Sequence, residues 1–468
     1  MSRSPRKALT ASMIALINVA AICNIKNFPL LAEFGYTSIF FLALSALFFF
    51  LPVSFVAAEL ASGWPDQGVY TWVKEALGPR LGFLAIWLQW IENVIWYPTI
   101  LSFIAVTFAY LIDPALAQNR LYVMSSILIA FWAATWINFL GMRVSGWISS
   151  LSALVGTILP ILLIIALGIG WMAAGHPSQL VLSWDSFFPD LSSINQLVLL
   201  SGVLLGLSGM EMSAVHARDV RNPQRDYPKG IFLSAAMILL FSSLGGVAIA
   251  IVVPQEHIQL ASGGMEAFQF LLKPFGLLWL MPLIVIVTTF GALGMMSTWI
   301  VGPSRGLYAT ASHGDLPPIF HKSNAKGMPV SILTTQALIV SALSLVFLFM
   351  PTVSSSYWAL LALAAILYQI MYILMLISAI VLRYTKPHVH RTYRIPGGNF
   401  GIWVVGCLGI LGAFFGLLFG FFPPSQFDMG NLPWFEAFLI GGVLLFCLTP
   451  LCIYSLRKPS WHLKTDSK

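Results

Sequence analysis

Apolar runs separated by short polar connections occupy most of the chain. Twelve of these runs reach the roughly 20 apolar residues that a membrane-spanning helix needs. They cover approximately residues 8–34, 37–61, 82–112, 121–140, 147–174, 194–217, 229–253, 276–304, 328–350, 356–383, 400–422 and 433–456. In hydrocarbon, a helix satisfies its backbone hydrogen bonds within one segment. The pattern therefore predicts an all-α, polytopic membrane protein with 12 transmembrane helices in a single transmembrane domain, residues 1–468.

The first apolar run contains a polar interruption. Residues 23–29 (CNIKNFP) place two asparagines, a lysine and a proline at mid-membrane depth. Irregular backbone is tolerated there only where it lines a protected cavity, and broken helices near the midplane are common binding sites in secondary transporters. The sequence predicts that helix 1 stops after Ile22, resumes at Leu30 and holds a binding site at the break.

The sixth run contains a second interruption, at residues 206–211 (GLSGME). Glycine in a helix interior costs about 1 kcal/mol, so Gly206 and Gly209 favour either an unwound site or a closely packed face of small residues. Glu211 favours the functional alternative, because a carboxylate inside a membrane is costly and usually has a role. We therefore expect helices 1 and 6 to be discontinuous.

The two interruptions lie five spans apart, as two five-helix repeats of opposite topology would place them. The repeats would cover about residues 8–174 and 194–383, with two additional helices at 400–456. Their broken first helices would face each other and offer N–H groups to a carboxylate and C=O groups to an ammonium. A zwitterion with both groups on one carbon fits such a site.

Charged side chains within the spans are candidates for the walls of this site. Lys26 is a partner for an acidic substrate, a substitute for a coupling cation, or half of a structural ion pair. The carboxylates available for such a pair are Glu92, Glu33 and Glu211. Glu92, in the third span, could equally line the same cavity.

Aromatic side chains in later spans are further candidates. Trp299 in span 8 stacks on substrate, closes the pocket or packs the bundle. Tyr368 and Tyr372 in span 10 are four residues apart and therefore share a helix face. Such a pair suits a gate or a hydrogen-bonded cavity wall, with plain packing as the alternative. Glu59 lies near the end of span 2 and is expected at the membrane interface.

Composition and charge agree with a membrane location. The chain is 58% hydrophobic and 9% charged, whereas soluble proteins carry roughly 25% charged residues. Of the 24 lysines and arginines, all but Arg120, Lys273 and the intramembrane Lys26 fall on one side of the predicted topology. Cytoplasmic loops carry such an excess, so both termini are predicted to be cytoplasmic. The net charge of +7 reflects this topology and gives no reason to expect nucleic acid as a partner.

No set of residues in the sequence has the spacing of a catalytic site. The four cysteines lie in apolar segments without metal-ligand spacing, and the histidines lie mostly in loops. A phosphate-binding glycine loop is also missing from the sequence. We therefore expect neither a metal nor a cofactor. The expected partners are a small-molecule amino acid or amine and the lipid bilayer, with the protein a monomer or homodimer.

Several motifs together carry a family resemblance. They are GVYTWV at 68–73, LGPR at 77–80, SFFPD at 186–190, RNPQRDYP at 221–228, WIVGPSRGLY at 299–308 and RTYRIPGG at 391–398. With these motifs the chain resembles the amino acid–polyamine–organocation (APC) superfamily, and within it the bacterial glutamate:GABA antiporters, over nearly all twelve spans. The resemblance implies a LeuT-like 5+5 inverted repeat with two additional helices. It also implies sodium-independent exchange of amino acids or their amines by alternating access, in the bacterial inner membrane.

The resemblance also implies roles for particular residues. The substrate site would include Ile22, Cys23 and Asn24 at the first break, Gly206, Leu207, Ser208 and Gly209 at the second, and Trp299; the gating residues would be Glu211, Tyr368 and Tyr372. The chain departs from the family at several places. Ile22-Cys23-Asn24 stands where the superfamily has Gly-Ser-Gly, Met295 where glutamate:GABA exchangers carry an acidic residue, and Lys26 where they carry an aromatic one.

Two other functions stay open at this level. One is a proton-coupled amino-acid or amine symporter, in which Glu211 or Glu92 would carry the proton. The other is a membrane sensor that does not transport.

Overall fold

The computed structural model describes residues 10–65, 68–140, 153–180, 183–189, 195–211, 220 and 222–462. Within these ranges the fold is built from helices. In chain order they are α1 Ala11–Ile22, α2 Phe28–Ala32, α3 Ser38–Ser45, α4 Leu51–Gly63, α5 Val69–Leu77, α6 Pro79–Ala109, α7 Arg120–Phe139, α8 Leu159–Ala173, α9 Trp184–Phe187, α10 Asn195–Gly206, α11 Pro223–Ala250, α12 Gly263–Leu272, α13 Met281–Ser312, α14 Val330–Ser344, α15 Val346–Phe349, α16 Val353–Thr385, α17 Gly398–Phe419 and α18 Leu432–Ser455. The all-α class predicted from the sequence is confirmed.

In the described part of the chain, 10 helical segments are long and apolar enough to cross a membrane. One of them joins α3 and α4 through a π-helical turn at Ala46–Phe50. This agrees with a polytopic membrane protein. The first and sixth predicted spans are not among the 10, because their helices are interrupted. The start of span 147–174 and the end of span 194–217 lie outside the described residues, so the count of twelve stays a prediction.

The first predicted interruption is present in the structure. Helix α1 ends at Ile22, and Cys23 and Asn24 adopt extended backbone conformations. The Asn24 side chain then accepts a hydrogen bond from the Lys26 N–H (2.8 Å) and begins a 3-10 turn, Ile25–Asn27. Helix α2 starts at Phe28, two residues before the predicted Leu30. Pro29 fits there because the first turn of a helix does not need its missing N–H.

The second predicted interruption is also present. Helix α10 ends at Gly206, and residues 208 and 209 are not helical. Gly209 has φ +114°, a backbone conformation that side chains other than glycine rarely adopt. Helical backbone resumes at Met210 and Glu211. The remainder of this predicted span, residues 212–217, lies outside the described residues.

Helices α6 and α16 form the centre of the bundle. In the most apolar 18-residue stretch of each helix, 89% of the residues of α6 and 78% of those of α16 are buried, against 11% for α18. They pack against each other, while α13 packs on α6, α17 packs on α16, and α1 packs along α11. This arrangement brings α6 and α16 next to the two breaks.

A buried ion-pair network joins the C-terminal ends of α4 and α16. Glu59 Oε2 lies 2.5 Å from Arg383 Nη2 and accepts a hydrogen bond from the Ile395 N–H (2.8 Å), and Glu59 Oε1 lies 3.6 Å from Arg391 Nε. Glu59 is 2% exposed. Glu59 thus lies inside the bundle, where the two arginines offset the cost of burying its charge, and its depth relative to the membrane interface stays a prediction.

Two further charged clusters involve side chains of α5. Glu75 of α5 forms an ion pair with Lys386, and both side chains are about one third exposed. Asp315 is buried; it accepts a hydrogen bond from the Tyr70 hydroxyl (2.7 Å) and lies 3.7 Å from Arg457. Burial raises the pKa of the Asp315 carboxyl, against the lowering effects of Tyr70 and Arg457.

Candidate functional site

The two breaks line one cavity. The described residues in its walls are Ile22, Asn24, Lys26, Asn27, Glu92, Asn93, Trp96, Leu205, Gly206, Ser208, Met295, Trp299, Leu361 and Tyr368. Its volume is about 50 Å³, which is room for a few water molecules. A bound amino acid therefore requires the walls to move apart.

Lys26 places a buried ammonium group at this cavity. Its Nζ donates hydrogen bonds to the Tyr357 hydroxyl (3.0 Å) and Thr99 Oγ1 (3.4 Å). The same atom lies 5.3 Å from the ring centre of Trp96 and 5.0 Å from that of Tyr357, within cation–π range. Aromatic and hydroxyl groups, which are neutral, thus hold the ammonium in place.

The ion pair considered for Lys26 is not formed. Among the described residues, no carboxylate oxygen lies within the 4.0 Å that defines an ion pair with its Nζ. The interpretation of Lys26 as half of an ion pair with Glu92, Glu33 or Glu211 is therefore wrong for this structure. Lys26 therefore lines the cavity without a carboxylate in contact.

Glu92 brings a carboxylate to the same cavity from α6. Its Oε2 accepts a hydrogen bond from Asn93 Nδ2 (2.9 Å), which also donates to the Gln89 carbonyl (2.8 Å). Glu92 and Lys26 are each 3% exposed. The cavity is thus bordered by one potential cation and one potential anion that do not touch each other.

Glu211 lies behind the cavity wall and ties the second break to α6 and α16. Its Oε1 accepts hydrogen bonds from the hydroxyl of Tyr368 and from Gln89 Nε2 (3.2 Å), and its Oε2 accepts one from Tyr372 (2.6 Å). The Tyr372 hydroxyl also accepts the Gly209 N–H (2.9 Å). Of these predicted gating residues, Tyr368 lines the cavity, whereas Glu211 and Tyr372 hold the backbone next to it.

Three of the predicted binding residues do not line the cavity. Cys23 is buried with its Sγ 3.9 Å from Ser242 Oγ of α11. The Leu207 N–H still bonds to carbonyls of α10. Gly209 lies against the Trp299 ring, where a Cβ atom would meet Cη2 at 2.8 Å. The two breaks touch at Gly206, where a Cβ atom would lie 3.2 Å from Asn27 Nδ2.

Several wall residues are not among those predicted from the sequence. Asn27, Asn93 and Trp96 line the cavity, and Met295, noted only as a departure from the family, accepts a hydrogen bond from Asn24 Nδ2 at its Sδ (3.3 Å). Helical spacing contained the signal for one of them, since Trp96 follows Glu92 by four residues and shares its face of α6.

The described residues contain no group of three or more His, Cys, Asp or Glu side chains that could hold a metal ion. The side chains that line the cavity offer amide, hydroxyl, aromatic, thioether, amine and carboxylate groups, next to the open backbone of the two breaks.

Comparison with known proteins places these features in context. Residues 8–445 match the family model described as amino acid permease. An uncharacterized transporter of Legionella pneumophila is 43% identical over 446 residues, 95% of this chain and 96% of the relative. A glutamate/gamma-aminobutyrate antiporter of Lactococcus lactis is 31% identical over 461 residues, 97% of this chain and 90% of the relative. A probable agmatine/putrescine antiporter of the same species is 23% identical over 431 residues, 90% and 89% of the two chains.

Proposed function

Because the chain belongs to the amino acid permease family, we propose that it is a secondary active amino-acid antiporter of the sodium-independent, glutamate/GABA type. The observation that carries this proposal is the cavity between the two broken helices, with the ammonium of Lys26 in its wall. The relative named a glutamate/gamma-aminobutyrate antiporter covers nearly the whole chain and supports the choice of substrate class.

The backbone of the two breaks would bind the groups that all amino acids share. The α-carboxylate would accept hydrogen bonds from backbone N–H groups of residues 23–27, and the α-ammonium would face carbonyls near residues 206–209. The N–H groups of Cys23, Lys26 and Asn27 already donate to Val19 and Asn24, so those of Asn24 and Ile25 are the candidates for the carboxylate. The last carbonyls of a helix lack intrahelical partners, which supports the assignment at the second break. Lys26, Trp299 and Tyr368 would then contact the substrate side chain and set its selectivity.

Alternating access would follow from the inverted repeats proposed for residues 8–174 and 194–383. Helices 1, 2, 6 and 7 would rock against helices 3, 4, 8 and 9 around the cavity. The small volume of the cavity supports such a movement, because substrate needs more room than the present walls leave. The basic residues support an inner-membrane protein with both termini in the cytoplasm.

Counterflow in proteoliposomes tests the function directly. Purified protein is reconstituted with one of a panel of unlabelled amino acids or amines inside, and entry of labelled glutamate is measured. An antiporter needs internal substrate, whereas a proton-coupled symporter needs only a proton gradient. Glutamate entry no faster than into empty liposomes, whatever the internal solute, would contradict transport of this substrate class.

Lys26→Met tests the role of the cavity ammonium. Methionine has a similar length but no charge, so an anionic side chain would lose a charge-assisted hydrogen bond worth about 1.5–3 kcal/mol. The preference for glutamate over leucine should fall by roughly 10- to 100-fold, because about 1.4 kcal/mol corresponds to a factor of ten. Lys273→Met is the matched control, since Lys273 is exposed and lies outside the cavity. An unchanged preference in Lys26→Met would contradict the assignment.

A further inference from the structure

The cavity wall carries a balanced pair of charges. Among its described residues, Lys26 and Glu92 are the two whose side chains ordinarily ionise to a cation and an anion. They are held by separate neutral partners, Lys26 by Tyr357 and Thr99 and Glu92 by Asn93. Each charge is therefore available to a bound molecule.

A buried cavity tolerates net charge poorly, because transferring an unpaired ion out of water is expensive. With Lys26 and Glu92 both ionised, the wall is neutral and suits a zwitterion whose side chain carries no charge. A substrate with an anionic side chain adds one negative charge. The net charge of the cavity wall and the substrate together returns to zero when one carboxylate takes up a proton.

Glu92 is the carboxylate best placed for that proton. It borders the cavity, so water that reaches the substrate also reaches Glu92. Glu211 lies behind the wall, and donors from Gln89, Tyr368 and Tyr372 occupy both of its oxygens.

The titratable groups that interact electrostatically with Glu92 come from four elements. They are Lys26 from the first break, Glu211 from the second, Tyr368 of α16, and Tyr97 of α6 itself. Of these, Lys26 is the one cation.

We propose that Glu92 takes up one proton from the open side when an amino acid with an anionic side chain binds beside Lys26, and keeps no proton when a zwitterion binds instead. This inference rests on the exchange function proposed above. The proton comes from water on the side where the substrate enters, and it leaves to water on the other side with the substrate. Exchange of glutamate for a zwitterion therefore moves one proton and no net charge.

The test uses proteoliposomes loaded with GABA and a pH-sensitive dye, with the membrane potential set by valinomycin and potassium. For the wild-type protein we expect one proton to enter with each labelled glutamate, at a rate that does not depend on the potential. In Glu92→Gln the proton signal should vanish while glutamate still enters as an anion. An inside-positive potential of about 100 mV should then increase glutamate accumulation by up to roughly 50-fold.

Matched variants separate this effect from general damage. Glu436→Gln makes the same change at an exposed glutamate of α18, and it should keep the wild-type proton coupling. The double variant Lys26→Met/Glu92→Gln again has a neutral wall. It should lose the potential-driven glutamate entry expected of Glu92→Gln, and its thermal unfolding in detergent shows whether the substituted cavity folds.

Three outcomes would overturn the proposal. The first is the import of glutamate without protons by the wild-type protein, a measurement that depends on no variant. Glu92→Gln that still imports one proton per glutamate would show that the substrate or another group carries it. Exchange of GABA without any entry of glutamate would remove the anionic substrate class on which the proposal rests. If neither substrate exchanges in the wild-type protein, the transport function fails as well, and the two failures are thereby distinguished.

Discussion

Replacing Gly209 with alanine should disrupt the second break by two independent routes. The first is the backbone, because φ at this position is +114°. The second is the Trp299 ring, since the added Cβ atom would lie 2.8 Å from Cη2 and 3.0 Å from Cζ2. Contacts of this length do not persist, so the indole ring would have to leave its place in the cavity wall.

The structure permits an estimate of each cost. A non-glycine residue held in a sparsely populated backbone region costs about 1–3 kcal/mol. Overpacking a closely fitted site typically costs about 1–3 kcal/mol more. Gly209→Ala should therefore destabilise the protein by about 2–6 kcal/mol, a large part of the ~5–15 kcal/mol that stabilises a typical protein.

Gly206→Ala is the matched control from the same break. Gly206 has no positive φ, and the nearest atom to an added Cβ is the end of the Asn27 side chain at 3.2 Å. An amide group at the end of a side chain can rotate away, and alanine is the better helix former by about 1 kcal/mol. We expect the stability of this variant to stay within about 1 kcal/mol of wild type.

Thermal unfolding of the purified protein in detergent, together with glutamate counterflow, provides the measurement. Trp299→Phe separates the two routes, because phenylalanine lacks both ring atoms that the new methyl group would meet. In that background Gly209→Ala should cost only the backbone share, about 1–3 kcal/mol. Wild-type stability and exchange in Gly209→Ala would refute the reasoning. An equal cost in both backgrounds would refute the part that concerns the ring.

Two further predictions concern the charged clusters away from the cavity. Glu59→Gln should destabilise the protein by about 3–5 kcal/mol, because Arg383 would be left buried and unpaired, whereas Glu75→Gln, which breaks a partly exposed pair, should cost less than about 1 kcal/mol; equal melting temperatures for the two variants would contradict this. Burial raises the pKa of Asp315 despite its hydrogen bond from Tyr70, so its contribution to stability is complete at acid pH and declines as pH rises through the folded-state pKa. Between the unfolded-state and the folded-state pKa of Asp315, the variant Asp315→Asn should therefore show a weaker dependence of melting temperature on pH. An unchanged slope of melting temperature against pH would argue against this role.

The two helix breaks could be predicted because their signals are local. Polar residues and a proline within the first apolar run, and two glycines with a carboxylate in the sixth, contradict an uninterrupted membrane helix. The start of α2 at Phe28 was missed by two residues. Pro29 belongs to α2 and not to the break, because proline is well accommodated in the first turn of a helix.

The partners of Lys26 could not be predicted from charge alone. Charge pairing points to carboxylates within the chain as its partners, whereas the structure supplies Tyr357, Thr99 and Trp96. Which of these residues reach Lys26 depends on the relative rotation of α6 and α16. The spacing did contain part of the answer, since Tyr357 precedes Leu361 by four residues and Tyr368 by eleven, which places all three on one face of α16.

The ion pairs of Glu59 could not be predicted from its local sequence. Its partner Arg383 is 324 residues away in the chain. Near the end of an apolar run, a glutamate facing water and a glutamate paired inside the bundle have the same local sequence. Only the packing of α4 against α16 distinguishes them.

The same separation has a consequence for biosynthesis. A ribosome adds about 5–20 residues per second, so roughly 16–65 s pass between the synthesis of Glu59 and that of Arg383. During this interval the carboxylate has no arginine to accompany it into a dry interior. Helix α4 therefore completes its docking only after the tenth predicted span has left the ribosome, and chains released before that point lack the contact that seals this end of the bundle.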